Sequence, residues 1–210
     1  MNEEIDLVKI EQATFRTANQ DGLTEVWMGL MICSMALVLI QTAFASMVAF
    51  LIIFQAAFNE RVKEKFTYPR IGRVKLRGEA EMPSGYGWLL VIAVMVPAFA
   101  SVVFSTRIEN EILSLVARWA PVLIGLGIIQ PAAYLVERSG LNRYYWTGAV
   151  SAILGLAFTL VEFPSPVSRM ILYLFLVGVV FIIAGLTSLT RFVRKYPILE
   201  LEEEVNERDQ

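Results

Sequence analysis

Hydrophobic positions in this chain run in long blocks separated by polar stretches. The first block, residues 26–58, has 33 residues and no charge. As one helix it would be about 50 Å long against a hydrocarbon core of about 30 Å, so a tight helical hairpin turning near Gln41 and Thr42 is expected. Beyond a polar interruption, residues 87–106 predict a third span with Pro97 inside it, and 107–116 a short amphipathic connector. Residues 119–136, 146–163 and 170–189 predict three more spans, with Pro121 near the start of the first and Pro131 within it. A proline inside a span frees a backbone carbonyl and bends the helix. Trp27, Trp88, Trp119 and Trp146 each stand near the beginning of a predicted span, where an indole rests at headgroup level. The expected fold is an all-α membrane protein, a six-transmembrane-helix bundle of three helical hairpins with a short basic cytoplasmic β-ribbon or loop.

Composition agrees with this pattern: 56% of the 210 residues are hydrophobic and 18% charged, outside the usual balance of a soluble domain. The net charge of −2 hides a segregation. The polar stretch 59–86 holds Arg61, Lys63, Lys65, Arg70, Arg73, Lys75 and Arg77, whereas both tails are acidic. Basic loops stay on the cytoplasmic side, so this stretch sets the orientation. With six spans and both termini cytoplasmic, only Arg107, Arg118 and Arg169 among the 18 Lys and Arg fall outside; a five-span arrangement would add Lys9 and Arg16 to them. The resulting division is a cytoplasmic segment 1–21, which fits a short interfacial helix or a solvated tail, a first transmembrane hairpin 22–58, the basic cytoplasmic loop 59–86, four further spans over 87–189 and a cytoplasmic acidic tail 190–210. The acidic residues Glu3, Glu4 and Asp6 stand where a secretory signal would be basic, so no cleaved signal is expected.

The chain has no histidine and a single cysteine, Cys33. These counts exclude histidine-based catalytic triads, a disulfide within the chain and thiolate metal clusters, and neither a metal nor another cofactor is expected. Within the basic stretch, Arg73, Lys75 and Arg77 alternate with Val74 and Leu76, which at strand period puts three cations on one face. With Arg70 they form the candidate site, for anionic lipid or an acidic partner segment. The alternative is that these charges serve orientation alone. Glu25, Glu137 and Glu162 lie near span ends, so no ionisable residue marks a midplane transport site. Gln55 and Gln130 are placed to bridge helices, and Gly125, Gly127, Gly148, Ser151, Gly155, Gly178 and Gly185 to let helices approach closely. Groups that could act on a lipid headgroup at the cytoplasmic interface are Glu60, Arg70, Arg73, Glu137, Arg138, Arg143, Tyr144 and Tyr145, without a spacing that supports such chemistry.

Two entry segments are alike: GLTEVWMG from Gly22 and GLNRYYWTG from Gly140 both lead to Trp-x-Gly, as a duplicated hairpin would. The motif Asp21-Gly22-Leu23-Thr24-Glu25, together with TYPRIGRVK over residues 67–75, resembles a set of uncharacterised prokaryotic multi-pass membrane proteins. In these, a DGL-type entry motif precedes a hairpin and a YPRxGxVK-type cytoplasmic segment follows it. The resemblance implies a prokaryotic plasma-membrane protein and no catalytic residue. The leading expectation is a non-enzymatic regulatory or scaffold component whose basic loop docks on anionic lipid or a protein partner, with a homo-oligomer as another form of partner and no nucleic acid. The alternatives are the membrane subunit of a small transporter, such as an ABC-type exporter, and a lipid-headgroup-modifying enzyme.

Overall fold

Local chemistry at the helix ends explains most boundaries in the computed structural model, which describes residues 16, 19–71, 96–104 and 110–197. Helix α1, Leu23–Ile40, starts behind Gly22, whose φ of 81° is left-handed, and its first turn is capped where Leu23 N–H donates to Asp21 Oδ1 at 3.1 Å. The helix stops where Gln41 turns extended, and a single 3-10 turn, Thr42–Phe44, leads into α2, Ala45–Phe66. The chain reverses here, because Phe58 of α2 packs its ring 5.5 Å from Trp27 of α1. A short α3, Tyr68–Ile71, follows. After the helical residues 96–104 come α4, Glu111–Ser139, α5, Arg143–Leu160, and α6, Pro166–Lys195. Asn110 caps α4 by accepting from the N–H groups of Ile112 and Leu113, and left-handed Gly140 closes it by donating to Val136 O. Ser165 accepts from Ser168 N–H, Pro166 fills the first position of α6, and Arg194 and Lys195 complement the negative end of its dipole.

The described residues contain no strand. Three helices are long and apolar enough to cross a membrane: α1, α4 and α6, with mean hydropathies of 2.0, 2.0 and 2.7. The pair Thr42–Gln55 and Ala57–Arg70, bent by 56°, makes a fourth if counted as one span. The six-span count expected from sequence is therefore not supported. The second expected span is bent, the third is described only over 96–104, and α5 opens on Arg143, Tyr144, Tyr145 and Trp146 and is not among the candidates. The expected basic ribbon, with Arg73, Lys75 and Arg77, lies outside the described residues, as do the N-terminal segment up to residue 15 and residues 198–210 of the expected tail, whose first residues instead continue α6 to Lys195. The connector expected at 107–116 also changes character: from Glu111 onward it belongs to α4, which continues through Pro121 and Pro131 to Ser139.

Two antiparallel pairs, α1 with α6 and α4 with α5, carry most of the helix packing. Each pair closes on backbone. A Cβ on Gly29 would lie 2.6 Å from Gly178 O, and one on Gly185 would lie 2.7 Å from Gly22 O. In the second pair, a Cβ on Gly155 would lie 2.4 Å from Pro121 O and one on Gly125 2.8 Å from Ser151 O. Such close approach replaces the hydrophobic drive that helices lose when lipid surrounds them. Tyr173 of α6 joins the pairs, its hydroxyl sharing a 3.1 Å hydrogen bond with Ser151 Oγ on α5. Around it lies the shared core, including Val102, Ala120, Ile124, Met170 and Val177. The outer surface is broadly apolar, with Ile53, Ile112 and Trp146 all more than 70% exposed, which suits hydrocarbon rather than water.

Candidate functional site

A cluster of buried polar groups gathers where α1 begins, α2 ends and α5 begins. Asp21 and Glu25 are 0% and 1% exposed. Glu25 Oε1 pairs with Arg143 Nε at 2.5 Å across a sequence separation of 118 residues. The other guanidinium nitrogens donate to the carbonyls of Asn19 and Gln20, at 2.5 and 3.2 Å, and to the Tyr144 hydroxyl at 3.4 Å. An arginine offers five donors in a rigid fork, so one side chain can hold a carboxylate and two carbonyls together. Those bonds offset the cost of taking the pair out of water.

Asp21 does the same on the other side of the cluster. One carboxylate oxygen caps α1; the other accepts from Thr67 Oγ1 at 2.9 Å, and Thr67 itself is buried. Thr67 links α2 to α3, so this bond ties the root of the basic stretch to the start of α1. The Tyr68 hydroxyl donates to Glu60 Oε2 at 3.1 Å, and Arg70 Nη1 donates to Phe66 O at 2.6 Å. Of the four residues expected from sequence to bind anionic lipid or a partner, Arg70 is thus placed against the end of the preceding helix α2, its Nε buried without a hydrogen bond among the described residues; Arg73, Lys75 and Arg77 lie outside the described residues.

Other expected groups are dispersed. Tyr145 is exposed, and Arg138 stacks over Tyr134 with its guanidinium carbon 5.7 Å from the ring centre. Gln55 and Gln130 are both exposed and, among the described residues, bond to no neighbouring helix, so the expected bridging is not seen. Trp27 was expected at headgroup level, yet it is only 7% exposed and packs on Phe58, whereas Trp146 has the expected exposure. No group of three or more metal-ligating side chains occurs among the described residues.

Sequence reasoning named Glu25, Arg143 and Tyr144 separately and missed their meeting. The cue was in the two similar entry segments. Glu25 stands three residues after left-handed Gly22, and Arg143 three residues after left-handed Gly140, with opposite charges at matching positions.

Farther along the bundle, a cavity of about 540 Å³ is lined by Met31, Ile32 and Met35 of α1, Val48 of α2, Phe99, Ile124 and Leu174 among others. Its volume is typical of a small-molecule site, but among the described residues its walls offer shape and no acidic, basic or donor side chain. Comparison with protein-family models, with curated proteins and with solved structures finds no match.

Proposed function

We propose that this chain is a non-enzymatic, multi-span protein of a prokaryotic plasma membrane, with both termini cytoplasmic, that presents the basic stretch 70–77 to anionic lipid at the cytoplasmic face. The supporting observation is the bond from Thr67 to buried Asp21. A solvated orientation signal would not require its root to be held in the bundle, whereas a docking element gains from a fixed point of departure. The same end of the bundle carries Lys63 and Lys65 on α2, Arg138 on α4 and Arg191, Arg194 and Lys195 on α6. A polybasic surface of this kind attracts acidic headgroups with about 1 kcal/mol per cation near the membrane.

The test is the phospholipid retained by the full-length protein in mild detergent. Wild type is expected to enrich anionic phospholipid over the bulk membrane, and the Arg73→Ala, Lys75→Ala, Arg77→Ala triple variant to lose most of that enrichment. An unchanged enrichment would remove the lipid-docking role. The transporter-subunit reading draws support from the apolar cavity lined by α1, α2, residues 96–100, α4 and α6, and predicts that an ATPase co-purifies with the wild-type chain.

A further inference from the structure

At the end of the bundle remote from the Glu25–Arg143 pair, two arginines stand together, and neither pairs with an acid among the described residues. Arg169 lies in the first turn of α6 and is only 7% exposed. Its Nη1 donates to the carbonyl of Arg118 on α4 at 3.4 Å, and its guanidinium carbon sits 5.6 Å from the centre of the Phe163 ring. Among the described residues, Nε is buried without a hydrogen-bond partner and Nη2 makes no hydrogen bond. Arg118 is exposed beside it. Glu111 and Glu162, the acids described at this end, are exposed and form no ion pair with either arginine.

This arrangement is costly unless an anion completes it. Removing a guanidinium from water without a counter-charge is unfavourable, a second arginine adds repulsion, and the N-terminus of α6 adds its own positive potential. Because Nε is enclosed by the protein, Nη2 is the donor left open to an oxygen of a tetrahedral oxyanion, with the exposed Arg118 beside it as the second cation. The depth is informative too. Trp119, next to Arg118, is 44% exposed, as suits an indole at headgroup level, where lipid phosphates lie.

We propose that Arg169 and Arg118 form a binding site for a phosphate group, with a phospholipid headgroup and free phosphate as its two sources. The site is separate from the basic stretch and does not depend on the role proposed for it.

The experiment uses the full-length chain carrying R73A, K75A and R77A, so that the other candidate lipid site is absent. Purified in a phosphate-free maltoside detergent, it is titrated with short-chain phosphatidylglycerol and, separately, with inorganic phosphate. Native mass spectrometry reads stoichiometry, and the thermal unfolding midpoint reads stabilisation. One phosphatidylglycerol per chain with a raised midpoint is expected. Adding Arg169→Lys, which keeps the charge and loses the fork, is expected to weaken binding about tenfold. Adding Arg118→Gln, an exposed change that leaves the fold intact, is expected to weaken it severalfold. If inorganic phosphate competes for the same site and shows the same variant dependence, free phosphate is the source; if it does not compete, the headgroup is. Absence of binding by both probes, as would follow if a carboxylate of the chain itself supplied the charge, would overturn the proposal. So would binding that Arg118→Gln leaves unchanged, a result that decides the matter even where Arg169→Lys does not fold.

Discussion

Arg143 makes the cost of disrupting the polar cluster unequal between its partners. Arg143→Met would leave Glu25 buried without its counter-ion and strip the Asn19 and Gln20 carbonyls of a donor, an expected loss of about 3–5 kcal/mol. Glu25→Gln keeps the shape and leaves a guanidinium still bound to two carbonyls, so about 1–3 kcal/mol is expected. Equilibrium unfolding in mixed micelles would measure both, and the double variant should cost less than the two singles together. Simple additivity would mean that the pair is not coupled. Sequence made each residue visible as a charge near a span end, but nothing local states which of several such charges meet across 118 residues. Trp27 shows the same limit: its place near a span start suggested a headgroup anchor, and whether an indole faces lipid or a neighbour is decided by Phe58 on the returning helix.

At the scale of elements, glycine positions differ in what they permit, and the difference can be tested. Gly29→Val would drive a side chain into Gly178 O and Ile182, backbone and side chain of the facing helix, so α1 and α6 must separate. A loss of more than about 3 kcal/mol is expected, enough to abolish the folded band in detergent gel filtration. Gly140→Ala meets nothing within 4 Å, and only its left-handed φ of 65° penalises it, by about 1–2 kcal/mol. Comparable losses at both positions would argue against backbone contact between α1 and α6. The sequence marked Gly148, Gly155, Gly178 and Gly185 as packing residues, and all four lie at helix contacts; spacing could not say which helix faces which. The break near Gln41 was legible because 33 uncharged residues are too long for one span. Continuity of α4 was not, because Pro121 and Pro131 read as bends, while the Asn110 cap and the absence of a breaker before Pro121 start the helix at Glu111.

The whole molecule has a direction, and that direction carries the proposed role. Because Gly22 rests on Gly185 and Thr67 is bonded to Asp21, the end of α2 and the end of α6 share one end of the bundle, so Lys65 and Lys195 must lie on the same side of any membrane. Ile112 at the start of α4 and Glu162 after α5 belong to the other end. At about 1.5 Å per residue, α6 alone spans about 45 Å between these ends, more than a hydrocarbon core. Single cysteines placed at residues 65, 112, 162 and 195 in a Cys33→Ser background therefore test geometry and orientation together. In intact cells a membrane-impermeant maleimide is expected to label positions 112 and 162, and to reach 65 and 195 only after permeabilisation. Labelling of 65 and 195 alone would put the basic end outside the cell and end the case for cytoplasmic lipid docking while preserving the helix pairing. Labelling that separates 65 from 195 would break either the Thr67–Asp21 link between α2 and α1 or the antiparallel contact of α1 with α6.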